Sequence, residues 1–281
     1  MKDTVFYSKK TLNVKGKLVD LSDPIVMGII NVTPDSFYAG SRVTGMQDIV
    51  IRAGKLLEEG ATILDLGGYS TRPGAEDITE SEELKRIIPA LEIILKNFPD
   101  AIVSIDTFRT QVAKQALNTG ASIINDISGG TLNENMSNLI AEYKVPYILM
   151  HLKGTPQTMV QENKYESLID EVIEYFVEKI ALLRKKGIKD IIIDPGFGFA
   201  KNINQNYELL KKLSIFQMFE LPILVGISRK SMIYRKLNIS PEESLNGSVV
   251  LNTIALTKGA NILRVHDVKE SVEAIQLLRN L

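Results

Sequence analysis

Three side chains, Asp106, Asn125 and Asp194, occupy equivalent places in this sequence. Each closes a short apolar run: Ser104-Ile105-Asp106, Ile123-Ile124-Asn125 and Ile192-Ile193-Asp194. A carboxylate there can accept two N–H bonds in one plane, and an amide both donates and accepts. Facing one pocket, the three suit a flat, nitrogen-rich heterocycle that presents an amide and an amino group. Any one alone is as well explained as a cap on the next helix or turn. Three at neighbouring positions weaken that explanation. Two cationic stretches follow, Ser228-Arg229-Lys230-Ser231 and Arg264-Val265-His266. Arg229 and Lys230 also fit solvated surface charges. Arg264 does not, because it alternates with apolar residues and needs a partner there. Lys230 and Arg264 near a helix start would make an anion site. His266 lies two residues past Arg264, points the same way along a strand, and reads as a ligand contact. His151, at the end of Leu149-Met150-His151, reads equally as a core histidine or a site group. Asn31 ends another run, and its single amide oxygen is compatible with a hydrated Mg2+ shared with substrate phosphates. No His, Asp or Glu cluster has the spacing of a closed metal site, no serine has an evident base, and the phosphate-loop pattern Gly-x-x-x-x-Gly-Lys-Ser/Thr is absent.

These residues need elements that bring them together. Eight apolar runs with polar ends recur along the chain, the others ending at Asp65 and Ser228, with enough sequence between consecutive runs for a helix. That alternation predicts a parallel sheet closed by helices, a single (β/α)8 barrel, whose strand ends converge on one mouth. A hairpin, Leu12–Val14 and Leu18–Leu21 around Lys15-Gly16-Lys17, is expected to close the opposite, amino-terminal face. Residues 1–23 thus read as an extension and 24–281 as the barrel, one domain overall. Helices are expected around Ile49, Ala53 and Leu56; after Thr79-Glu80-Ser81-Glu82; around Val172, Phe176 and Ile180; after Ser240-Pro241-Glu242-Glu243; and through Val272 and Ile275. Two long mouth loops, Asn31 to Thr44 and Gly67 to Glu76, carry Asp35 and Arg72, whose opposite charges are suited to pair when the loops close. The net charge of −1 gives no basic field for nucleic acid. The chain has no cysteine, and no apolar run approaches the roughly 18 residues of a membrane span. A cytoplasmic, non-membrane enzyme of small molecules is the expectation.

The stretches Met27-Gly28-Ile29-Ile30-Asn31-Val32-Thr33-Pro34-Asp35-Ser36-Phe37, Asp65-Leu66-Gly67-Gly68 with Ser70-Thr71-Arg72-Pro73-Gly74, and Asp194-Pro195-Gly196-Phe197-Gly198-Phe199 share one order with the strand ends named above. Together they resemble the dihydropteroate synthase family of pterin-binding barrels, from about Pro24 to the carboxyl end. The resemblance implies condensation of 6-hydroxymethyl-7,8-dihydropterin diphosphate with 4-aminobenzoate, giving dihydropteroate and diphosphate in folate biosynthesis. It implies that Asp106, Asn125, Asp194 and Lys230 hold the pterin, with Met150 lining its pocket. Asn31 would bind Mg2+; Thr71, Arg264, Val265 and His266 would meet the diphosphate. Thr71, Pro73, Phe199, Lys230 and Ser231 would frame the aminobenzoate, with Asp35 and Arg72 acting from the loops. A homodimer and a sulfonamide target are implied as well. The chain departs from the family pattern at Tyr69, Ala200 and the bulky Val249-Val250-Leu251-Asn252. A methyltetrahydrofolate-dependent methyltransferase and a non-catalytic pterin-binding paralogue are the rival readings.

Overall fold

The apolar runs become strands, and the intervening sequence becomes helices, in strict alternation. A computed structural model describes residues 10–32, 42–69, 77–159 and 161–279, with the side chains of 42–44 excepted. A hairpin, β1 (Thr11–Val14) and β2 (Lys17–Asp20), precedes the barrel strands β3 (Ile25–Asn31), β4 (Ile63–Gly67), β5 (Ile102–Asp106), β6 (Ile123–Asp126), β7 (Tyr147–Met150), β8 (Ile191–Asp194), β9 (Leu224–Val225) and β10 (Ile262–Val265). Helices α1 (Arg42–Glu58), α2 (Glu80–Asn97), α3 (Thr110–Thr119), α4 (Met136–Tyr143), α5 (Leu168–Lys185) and α6 (Ile203–Lys211) link them. After β9 come α7 (Ser231–Leu237) and α8 (Leu245–Thr257), and α9 (Val268–Leu278) follows β10. The strands pair in parallel in the order β8-β7-β6-β5-β4-β3-β10-β9, and a bridge from Ile193 to Ile223 closes the ring.

Two apolar layers hold this arrangement. The larger lies between strands and helices, where Ile30, Leu64, Ile105 and Ile193 meet Ala53, Leu56, Ile87, Phe176 and Val268. Inside the ring a separate cluster joins Met27, Ile63, Ile123, Ile148, Ile192, Leu224 and Ile262 to Leu12, Val14 and Leu21 of the hairpin region. The hairpin therefore plugs the amino-terminal end, as expected. Its turn is two residues, Lys15 and Gly16, rather than three. Both have positive φ, 51° and 82°, which matches the twist of the flanking strands.

Three boundaries differ from expectation. The seventh barrel strand is only Leu224–Val225, because the chain turns at Ser228-Arg229, where the Lys230 N–H donates to the Ile227 carbonyl. The helix after the first loop begins at Arg42 instead of beyond Thr44. Ser240 and Glu243 do form a reciprocal cap, but on a 3-10 turn, Glu242–Ser244, that leads into α8. Among the described residues no helix is long and apolar enough to cross a membrane.

Candidate active site at the carboxyl ends of the strands

Side chains alternate along a strand, so the inner apolar cluster fixes which residues face the barrel axis. Two positions beyond Ile63, Ile123, Ile192 and Ile262 stand Asp65, Asn125, Asp194 and Arg264. The barrel thus carries a polar layer directly above an apolar one. Arg264 organises it. Its Nε donates to Asp65 Oδ2 at 2.6 Å and its Nη2 to Asp106 Oδ2 at 2.6 Å. Asn125 Nδ2 donates to the same Asp65 oxygen at 3.1 Å. Asp65 is fully buried, and its Oδ1 and the buried Ser104 Oγ lack hydrogen-bond partners among the described residues. Burial acts against the charge of Arg264, but Asp65 and Asp106 outweigh it and raise its pKa. Among the described residues no hydrogen bond engages Nη1, which suits it to an anion. Burial also pushes the Asp106 carboxyl up, with Arg264 opposing and Asp65 adding to the rise. Gly67 lies between Asn31 and Asp106: a Cβ there would be 3.7 Å from Asn31 Oδ1 and 3.8 Å from Asp106 Oδ2.

The second cation enters from the loop after β9. Lys230 is the residue before α7, and its Nζ donates to the Phe197 carbonyl and stands 4.6 Å from the Phe199 ring centroid. Gly198 makes room for its stem, since a Cβ there would lie 3.0 Å from Lys230 Cδ. Burial pulls Lys230 down to about 8, against the pull of Asp194 and with help from Arg264. Asp194 is raised by its own burial, opposed by Lys230 and by the Gly196 N–H that it accepts at 2.8 Å. His266 is held beside Ser228, with 3.3 Å between Nδ1 and Oγ, and Arg52 donates to its carbonyl. Phe199 and Met150 belong to a small apolar cluster with Ile127, Leu152, Met159 and Phe108. The mouth thus gathers carboxylates and an amide, two cations and an apolar cluster. It can bind a flat polar heterocycle and an anion side by side.

Residues 27–266 match the family described as pterin binding enzyme. The dihydropteroate synthase of Escherichia coli strain K12 is 46% identical over 95% of both chains. The chain belongs to the dihydropteroate synthase family. Its fold is also that of the Yersinia pestis dihydropteroate synthase solved as a sulfonamide drug complex, with a TM-score of 0.89 and 42% identity over 96% of this chain and 98% of that one. The Xanthomonas albilineans dihydropteroate synthase solved with 4-aminobenzoic acid has a TM-score of 0.89 and 36% identity, covering 97% and 98% of the two chains. The rival methyltransferase and paralogue readings gain nothing from these relatives.

Within this family frame, the structure joins Asp106, Asn125 and Arg264 in one network and sets Asp194 with Lys230 beside it. Met150 and Phe199 share the apolar wall, and Ser231 follows Lys230 as the first residue of α7. Asn31 is exposed at the end of β3. Val265 is different: its side chain lies in the outer core, leaving only backbone toward the mouth. Asp35, Thr71, Arg72 and Pro73 lie outside the described residues. Arg229 is not in the anion site. It is a structural clamp, donating through Nε and Nη2 to Asp267 and through Nη1 to the Pro241 and Glu242 carbonyls.

Several contributors carry no local signal in the sequence. Asp65 was visible as a strand end but not as the shared acceptor of Arg264 and Asn125. Arg109 was not singled out; it donates to buried Glu83 at 2.6 Å and to the Ile78 carbonyl at 2.5 Å, and its cation lies 5.2 Å from the Tyr69 ring centroid. It ties the residues that flank the second mouth loop on both sides. Tyr69, one of the family departures, also packs edge-on against Phe108 and accepts from Gln157. His151, left open by the sequence, proves buried, with Lys201 Nζ 3.0 Å from its Nδ1.

Proposed function

We propose that the chain is a dihydropteroate synthase that transfers the pterinylmethyl group of 6-hydroxymethyl-7,8-dihydropterin diphosphate to the amine of 4-aminobenzoate. The observation that carries this is the meeting, in one barrel mouth of a chain of this family, of Asp106, Asn125 and Asp194 with the cations Lys230 and Arg264. In this reading the carboxylates and the amide take the ring N–H and amino groups of the pterin, and Met150 lines its face. As the bond from methylene to diphosphate oxygen breaks, its electron pair leaves with diphosphate and positive charge spreads into the pterin. Asp106 and Asp194 stabilise that charge, while Arg264 Nη1, His266 and Thr71 take the departing oxygens. The arylamine nitrogen then bonds to the methylene carbon and releases a proton. It is already a nucleophile, so no protein nucleophile is needed. Thr71, Pro73, Phe199, Lys230 and Ser231 frame the aminobenzoate, and Asp35 and Arg72 close over it.

Asn31 offers one exposed neutral oxygen, and Asp106 beside it is engaged by Arg264. That donor set fits a hydrated Mg2+ shared with diphosphate better than a fully protein-held ion. Such an ion would neutralise charge on the leaving group. We also propose a homodimer in the cytoplasm. Support for the dimer comes from α8, whose buried face is Ser248, Asn252 and Ala255 while Val250 and Ile254 stand 49% and 37% exposed. The test of function is diphosphate release measured with each substrate alone and with both. Release only with both, matched by dihydropteroate, is expected. Diphosphate release unaffected by 4-aminobenzoate would sink the reading.

A further inference from the structure

The loop after β8 is held between two lysines. On one side Lys230 donates to the Phe197 carbonyl and lies against the Phe199 ring. On the other, Lys201 Nζ lies 3.1 Å from the Gly196 carbonyl, 3.1 Å from the Phe199 carbonyl and 3.0 Å from His151 Nδ1. The three acceptors match the three N–H donors of an ammonium, although burial pulls this amine down to about 7, with Asp194 opposing the fall and Lys230 adding to it. Lys201 is 8% exposed, and burying a cation is tolerated only when its donors are satisfied. Burial and the neighbouring Lys201 keep His151 from protonating, so its Nδ1 can serve as the third acceptor.

The loop does not take this shape through backbone preference alone. Gly196, Gly198 and Ala200 all have positive φ, at 76°, 81° and 49°, and alanine is disfavoured there. Alternate left-handed residues turn the Gly196 and Phe199 carbonyls toward Lys201 and the Phe197 carbonyl toward Lys230. Asn206 Oδ1 accepts from the Gly198 N–H and Asp194 Oδ1 from the Gly196 N–H, which fixes the intervening backbone.

We propose that Lys201 is a positioning residue for the reaction. By holding the Gly196 and Phe199 carbonyls it keeps the Phe197 carbonyl and the Phe199 ring where they orient the Lys230 ammonium. This rests on the reading of Lys230 as a substrate-facing cation. Without Lys201 the Gly196 and Phe199 carbonyls lose their donor, the loop relaxes toward conformations that Ala200 prefers, and Lys230 loses its seat.

The test is a cycle of Lys201→Met, Lys230→Met and the double variant in the full chain, followed by kcat/KM for 4-aminobenzoate, with circular dichroism and thermal unfolding to establish folding. If Lys201 acts through Lys230, Lys201→Met loses about tenfold or more, while the double variant falls within about threefold of Lys230→Met alone. Lys201→Gln, whose amide keeps two donors for the two carbonyls, should regain part of the loss. If Lys201→Met does not fold, the cycle is run with Lys201→Gln, whose smaller loss should again vanish in the double variant with Lys230→Met, and losses that multiply overturn the proposal. Losses that multiply in the double variant overturn the proposal and leave Lys201 a purely structural group. So does a Lys201→Met activity within twofold of the parent while Lys230→Met is impaired. An unimpaired Lys230→Met overturns the role of Lys230 as well, and that outcome is distinct from the others.

Discussion

At the scale of single residues, Lys230 is the group whose loss is most informative. Lys230→Met is expected to fold, because the residue sits in a mouth loop, and to lose at least ~2 kcal/mol of transition-state stabilisation. A kcat/KM within twofold of the parent would remove its assigned role. Its ammonium is pulled down to about 8, so the charge is present below that pH and lost above it. Activity through kcat/KM should therefore fall as pH rises through about 8, and Lys230→Met should lack this limb. The same alkaline limb in the variant would assign it to another group. Asp65 belongs at this scale too. Asp65→Asn leaves Arg264 with one carboxylate instead of two, and a loss of roughly 1–3 kcal/mol in stability is expected by urea unfolding. An unchanged midpoint would mean that Asp106 alone holds the guanidinium. The sequence made Arg264 legible as a buried cation in need of a partner, but its partner Asp65 lies 199 residues away. Local pattern says that a charge must be paired; only the closed ring says with whom.

At the scale of elements, strands were legible as short apolar runs with polar ends, and most helices because their 3.6-residue apolar spacing is strong. Thr79 does cap α2, accepting from the Glu82 N–H at 3.2 Å. The short β9 was not legible, because Gly226-Ile227-Ser228 continues the apolar run although the chain already leaves the sheet. Nor was the shape of the loop after β8, which depends on which carbonyls face which lysine. Arg109, just before α3, carries no local signal, because its partners Glu83 and Ile78 lie 26 and 31 residues away. Its removal as Arg109→Met would leave Glu83 buried without its counterion, and roughly 3 kcal/mol of destabilisation is expected. Pairing that change with Glu83→Leu should recover most of the loss. If denaturant unfolding shows no recovery, the interaction with the Ile78 carbonyl, not the ion pair, is what matters.

At the scale of the whole molecule, the barrel was legible from the eight recurring runs, and the hairpin plug from its position before the first of them. Leu12 is wholly buried in the floor of the ring, at the end away from the mouth. Leu12→Ala should cost about 2–5 kcal/mol of stability. It should leave kcat/KM at 25 °C unchanged, and a lowered kcat/KM in fully folded protein would show that floor and mouth are coupled. The outward-facing apolar residues of α8 give a separate expectation. Val250→Glu should shift sedimentation from dimer to monomer, and no shift would place the dimer contact elsewhere. The stacking of a polar layer over an apolar one has a further consequence, for how such a chain can change over generations. Fold and chemistry are written on the same strands but two positions apart, so a substitution in the upper tier can alter ligand choice without emptying the lower one. An insertion of a single residue within a strand has no such freedom. It would swap every inward residue beyond it for an outward one, placing Leu64 where Asp65 now stands if it fell in β4, or Ile105 where Asp106 stands if it fell in β5. Selection acting on the mouth is thus free to explore side chains and loop lengths, while strand length is closed to it.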